Sequence, residues 1–176
     1  AQTALSIRDC FSLRKGEGRG VLIPYLTAGY PDVPTSLALM AALAEAGGDL
    51  LELGIPFSDP LADGPTIQRS SFRALEGGMT VAGSLELLRR FREAHPHPVV
   101  LFTYLNPVLR YGAEAFLEDA AEAGAQGILL TDLPSGADPG MGRQTAANWL
   151  MVRLSAKHAG WRRMLDPNRT HTLLAC

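Results

Sequence analysis

The chain has 176 residues, 47% of them hydrophobic and 19% charged, with a formal net charge of −2, which fits one globular domain large enough to bury a core. That balance gives no global pull toward nucleic acid or an anionic membrane, and no apolar run approaches the ~20 residues of a membrane span. The stretch AQTALSIRDCF lacks the long apolar segment of a signal peptide, and Cys10 and Cys176 are read as unreacted thiols of a cytoplasmic protein.

SIRDCFSLRKGEG is expected to form a short leading helix, with Ile7, Cys10, Phe11 and Arg14 on one side. GVLIPYLTAG (20–29) has the pattern of a buried strand ending on Gly29. From Pro34 to Ala46, Leu37, Met40, Leu43 and Ala44 recur at helical spacing, and Gly47-Gly48 stops the helix. DLLELGIP (49–56) reads as a second strand, and 66–76 as a short helical stretch. TVAGSLELLRRFREAH (80–95) predicts a helix with Val81, Leu85, Leu88 and Phe91 on one face and Thr80 as its cap. PVVLFTYL (98–105) is a third strand, GAEAFLEDAAEAG (112–124) a helix with Phe116, Leu117, Ala120 and Ala121 inward, and QGILLTDLP (126–134) a fourth strand. WLMVRLSA (149–156) carries a weaker strand pattern.

Near-continuous apolar strands alternating with amphipathic helices predict an α/β protein with a parallel sheet covered on both faces. Polar or special residues recur at the C-terminal strand ends: Thr27 and Gly29, Glu52 and Gly54, Tyr104 and Asn106, Asp132 and Pro134. A barrel builds its site at that end of every strand, whereas an open sheet does so mainly at a switch point. The pattern therefore favours the barrel, and the absence of GxGxxG weakens a dinucleotide-binding reading.

The stretch LELGIPFSDPLADGPTIQ concentrates the chemistry. Glu52 alternates with Leu51 and Leu53 and so points to the opposite face. It is either a strand glutamate paired with a lysine or arginine, or a partly desolvated acid/base with a raised pKa. Asp63 before Gly64 is either a turn former or a second carboxylate of the same site. Asp59 is an Asx-turn residue or a surface contact. Pro56, Pro60 and Pro65 cut the entropy of the free loop, so its acids can be held in place cheaply. Tyr25, Phe102 and Tyr104 either pack the core or line an aromatic pocket. Asn106 and Asp132 are turn residues or polar members of the site. No metal site is expected: His95, His97, His158 and His171 are scattered, and HPHP lacks helical ligand spacing. A P-loop is also absent from the sequence.

IPYLTAGYP, LELGIPFSDPLADGPTIQ, TYLNPVLRYG and TDLP, in this order and spacing, resemble the tryptophan synthase alpha chain family over about residues 5–140. The resemblance implies a (β/α)₈ TIM barrel that cleaves indole-3-glycerol phosphate to indole and glyceraldehyde 3-phosphate. Glu52 matches the family's catalytic glutamate and Asp63 its catalytic aspartate. Tyr25, Phe102, Tyr104 and Asp132 match substrate-binding positions. Asp59, Pro60 and Asn106 match positions tied to the interface with a beta subunit, in an alpha2beta2 complex. The resemblance implies no cofactor for this chain, since pyridoxal phosphate belongs to the beta subunit.

The tail departs from that pattern. Residues 1–140 hold 10 Lys+Arg against 17 Asp+Glu, whereas 141–176 hold 6 Lys+Arg against one Asp, with both tryptophans, Trp149 and Trp161. The expected division is therefore the N-terminal half of a barrel over 1–140 and a basic tail unlike the family over 141–176. A frame change in a GC-rich gene would produce such a switch, as would a diverged or engineered segment. A full barrel takes about 250 residues, and the family's phosphate-binding turns are missing. The first and fourth strands are expected to present open edges. On this length the chain alone is expected to cleave little, and the alternative reading is an inactive fragment that at most binds a beta subunit.

Overall fold

The computed structural model describes residues 5–132 and the backbone of 150–153. Pro134, Cys176, the boundary expected at 140 and the rest of the tail 141–176 lie outside the described residues.

The chain opens with α1 (Ile7–Gly16), where the Ser6 hydroxyl accepts the Asp9 amide and Arg14 and Lys15 sit in the last turn, charges that suit the helix dipole. Next come β1 (Tyr25–Thr27), α2 (Val33–Glu45), β2 (Leu51–Gly54), α3 (Pro65–Glu76) and α4 (Val81–Ala94). They are followed by β3 (Val99–Thr103), α5 (Leu105–Tyr111), α6 (Ala113–Glu122), β4 (Gly127–Leu130) and β5 (Leu150–Arg153). Asp32 caps α2 through the Thr35 amide at 2.8 Å, and Thr80 caps α4 through the Gly83 amide at 3.0 Å, as its sequence predicts.

The sheet runs β1-β2-β3-β4-β5. The first three pairings are parallel and β4–β5 is antiparallel. Within the weak strand pattern at 149–156, residues 150–153 thus do form a strand, and their backbone covers the edge of β4 that was expected to be open.

Strand alternation sorts the residues onto two faces. On the outer face Leu51, Leu53, Val99, Leu101, Ile128 and Leu130 pack against Met40 of α2, Leu85, Leu88 and Phe91 of α4, and Phe116 and Ala120 of α6. Phe91 and Phe116 are wholly buried, each contributing about 1.5–3 kcal/mol relative to exposure. The inner face is smaller: Cys10 of α1 packs with Leu50, Val100 and Leu129, and with the partly buried Ile7, Val21 and Phe102. Parallel strands with helices packed on the outer face are the layering of part of a (β/α)₈ barrel.

Two expected elements change. The strand predicted over 20–29 shrinks to Tyr25–Thr27 because the backbone groups of Leu22 are taken elsewhere. Its amide donates to the Asp49 carboxylate at 2.9 Å, and its carbonyl accepts the Asp49 amide at 2.9 Å. Pro24 has no N–H to give the ladder. The strand predicted over 98–105 ends at Thr103, and α5 begins at once. Pro107 suits the first turn of a helix, where its missing N–H costs nothing. In α6 Phe116 and Ala120 are buried as expected, while Ala121 is exposed. Among the described residues, no helix is long and apolar enough to cross a membrane.

Candidate active site

Tyr25, Glu52 and Val100 are in register across β1, β2 and β3, so all three side chains project from the inner face. Glu52 is half-buried, and burial pushes its carboxyl above the ordinary value. Among the described residues no cation or hydrogen-bond donor partners its carboxylate. The reading of Glu52 as an ion-paired strand glutamate therefore finds no support among them.

One step further along the strands, Thr27, Gly54 and Phe102 form the next row. Gly54 is required there. A Cβ on it would lie 2.1 Å from the Tyr25 hydroxyl oxygen, so the glycine is what lets that ring lie across the sheet. The Tyr25 ring meets Phe102 edge-on, with centroids 5.5 Å apart and planes at 79°. Burial, less the effect of Thr27 and reinforced by Asp63, Tyr104 and Glu52, pushes the Tyr25 phenol up to about 12. It therefore stays protonated and neutral at physiological pH. The Thr27 hydroxyl meets the Ser70 hydroxyl of α3 at 2.7 Å, which fixes the helix that follows the loop.

The loop between β2 and α3 is tethered along its length. The Ile55 amide donates to the Phe102 carbonyl at 2.9 Å, and the Asp63 amide closes a turn on the Pro60 carbonyl at 3.2 Å. The Ala62 amide donates to the Tyr104 hydroxyl at 3.0 Å, and Gln68 Nε2 donates to the Asp63 carbonyl at 2.8 Å. These tethers hold the half-buried Asp63 over the strand ends. Burial raises its carboxyl pKa, and the Tyr104 hydroxyl draws it back down.

The fold thus gathers Tyr25, Glu52, Asp63, Phe102 and Tyr104 at one end of the sheet. The other expected residues lie around the rim. Asp132 is exposed, and its Oδ1 accepts the Leu105 amide at 2.7 Å, capping α5 from the end of β4. Asn106 is exposed in the first turn of α5. Asp59 is exposed and accepts from the Ser58 hydroxyl at 2.5 Å, whereas Pro60 is buried. Leu61 beside them is 91% exposed.

Two residues at this site escaped the sequence reading. Phe57 packs on Tyr104, with centroids 5.3 Å apart. Its signal is a lone aromatic residue in a proline-rich loop. Gln68 is the other; it stands in the quoted motif, but only the folded loop shows that its amide reaches Asp63. Among the described residues, no group of three or more His, Cys, Asp or Glu is placed to hold a metal.

A sequence model described as "Tryptophan synthase alpha chain" matches residues 11–165. The chain is 50% identical over 129 residues to the tryptophan synthase alpha chain of Synechococcus elongatus, covering 73% of this chain and 48% of that protein. It is 52% identical over 130 residues to the one from Gluconobacter oxydans, with the same coverage of 73% and 48%. Among solved structures, it is similar to tryptophan synthase subunit alpha from Legionella pneumophila, with a TM-score of 0.72 at 43% identity over 75% of this chain and 51% of that one. The chain spans about half the length of the curated relatives it matches.

Proposed function

Because the chain belongs to the tryptophan synthase alpha chain family, we propose that Glu52 and Asp63 run the retro-aldol cleavage of indole-3-glycerol phosphate. The observation that carries this reading is a half-buried carboxylate with a raised pKa and no partnering cation among the described residues, facing an aromatic pair beneath a second tethered carboxylate. The family match favours a lyase over an inactive fragment.

In this reading the neutral Glu52 carboxyl gives its proton to indole C3. The ring nitrogen becomes positively charged, and the Asp63 carboxylate accepts its N–H and stabilises that charge. The Glu52 carboxylate then takes the proton of the glycerol hydroxyl next to the ring. The C–C bond breaks, its electron pair returns to the ring, and the products are indole and glyceraldehyde 3-phosphate. Glu52 ends as it began, protonated. A carboxyl near its ordinary pKa would be too weak a base for the second step and too rarely protonated for the first, so burial matches it to the task. Tyr25 and Phe102 line the indole side of the pocket.

The same reading assigns no cofactor to this chain and leaves pyridoxal phosphate to a beta subunit. It places the chain in the cytoplasm and gives the rim, with Asp59, Pro60, Asn106 and the exposed Leu61, to contact with that subunit. Asp132 belongs on the substrate side of the rim, where its carboxylate already orders α5.

Asp63→Asn tests the assignment. An interaction made mainly in the transition state lowers kcat and kcat/KM together, here by about 10²-fold or more. A rise in KM with kcat unchanged would reduce Asp63 to a binding group and refute its catalytic role.

A further inference from the structure

Asp63 stands two residues before α3, and the peptide groups on both sides of it are tied. Its amide donates to the Pro60 carbonyl at 3.2 Å. Its carbonyl accepts from Gln68 Nε2 at 2.8 Å. Gln68 also takes the next carbonyl, that of Gly64, with its own backbone amide at 3.0 Å. Peptide groups are planar, and a residue has only two soft backbone angles. Holding both the amide and the carbonyl of Asp63 therefore fixes the direction of its Cα–Cβ bond. Gly64, the N-cap residue, has no side chain to brace this junction; Gln68 reaches back over the first turn of α3 and braces it instead.

The turn of α3 that carries Gln68 is itself pinned to the sheet. The Ser70 hydroxyl donates to the Ile67 carbonyl at 2.8 Å and lies 2.7 Å from the Thr27 hydroxyl. A hydroxyl has one hydrogen to give, so Thr27 donates to Ser70. Thr27 is buried at the end of β1, the strand that places Tyr25 against Glu52 of β2. One line of bonds thus runs from the strand beside Glu52, through Thr27, Ser70 and α3, to Gln68 and the backbone of Asp63.

We infer that Gln68 is a positioning residue: from an α3 pinned to β1 by Ser70 and Thr27, it sets where the Asp63 side chain leaves the backbone, and so the spacing of Asp63 from Glu52. This rests on the reading of those two carboxylates as the reacting pair. Gln68 itself makes no contact with substrate in this role. A reacting group misplaced by about 1 Å can cost 10²-fold in rate, so the brace acts on turnover more than on binding.

Gln68→Met keeps the length and bulk of the side chain and removes its donor. The backbone carbonyl carbon of Asp63 is expected to move upfield in the NMR spectrum as it loses its hydrogen bond, with the Leu53 and Leu101 amides unmoved. In cleavage, kcat falls about ten- to hundredfold with little change in KM. Ser70→Ala, which frees α3 from β1, lowers kcat in the same way. In a double-mutant cycle the two losses in kcat overlap, because each undoes the same brace, whereas independent losses would multiply. An unmoved Asp63 carbonyl resonance overturns the inference, as do losses that multiply. Asp63→Asn, run in parallel, separates this inference from the reading beneath it. If that variant is slow while Gln68→Met turns over at the wild-type rate, the positioning role falls and Asp63 keeps its own. If Asp63→Asn cleaves as fast as the wild type, the catalytic reading of Asp63 falls, and the carbonyl resonance alone decides whether Gln68 places that residue.

Discussion

At Glu52 the fold holds a carboxylate where water reaches it poorly and no cation among the described residues offsets its charge. Its folded pKa lies above its unfolded value of about 4.3. The sign follows from linkage. Below the unfolded pKa the group is neutral in both states and costs nothing. As pH rises through the folded pKa, the buried side chain ionises and that stability is lost. Glu52→Gln is therefore expected to melt at or above the wild-type temperature at pH 7, by about 2–4 °C, with the gap closing near pH 4. Thermal melts at both pH values check this; a lower Tm for the variant at pH 7 contradicts it. Such a gain would mark Glu52 as a residue kept at some cost to stability, as acid/base groups often are. Gly54 is the complementary case: its missing side chain gives Tyr25 the space to lie across the inner face of the sheet.

At the level of elements, α1 is joined to the sheet through one buried acid. Asp49, whose side chain is 2% exposed, takes Arg14 Nε at 2.5 Å, Arg19 Nη1 at 2.7 Å and the Leu22 amide at 2.9 Å. Arg19 above all, then the Leu22 amide and Arg14, hold its carboxyl well below the usual carboxylate range against the opposing effect of burial. The stability this supplies is present above the unfolded pKa of about 4. It is lost as pH falls through the lower folded pKa. Removing one partner of a buried ion pair costs about 3–5 kcal/mol, and both arginines are partly solvated, which lowers the figure. Asp49→Asn is expected to cost about 2–3 kcal/mol in urea unfolding at pH 7, with the deficit shrinking below pH 4. A variant as stable as the wild type would show that α1 is held by Cys10 and Ile7 packing alone. The element that escaped prediction, α5, has the same kind of origin. Its first amide is capped by Asp132, 27 residues further on, and no local pattern announces a cap supplied from another strand.

Across the whole molecule, alternation and periodicity carry most of the architecture. Leu51 and Leu53 against Glu52, and Val81, Leu85, Leu88 and Phe91 at helical spacing, place two faces of the sheet and the helix that covers one of them. The site was legible where a residue conflicts with its surroundings: a glutamate within an apolar strand, aspartates on a loop stiffened by proline. It was not legible where the partner is distant in sequence, as with Ala62 and Tyr104 or Gly54 and Tyr25, because spacing along the chain does not encode contact across strands. The antiparallel direction of β5 against four parallel strands was likewise beyond a pattern that reports strand period alone. The central proposal, that Glu52 is the acid/base of a C–C cleavage, draws support from the family match and from the half-buried place of its carboxyl on the inner face. The direct measurement is the rate of indole release from indole-3-glycerol phosphate across pH, for wild type and Glu52→Gln side by side. The account predicts a wild-type rate that declines toward alkaline pH as Glu52 loses the proton it must give to C3, and a variant slower by about 10²–10⁴-fold at the wild-type optimum; a variant that matches the wild-type rate while remaining folded would contradict it.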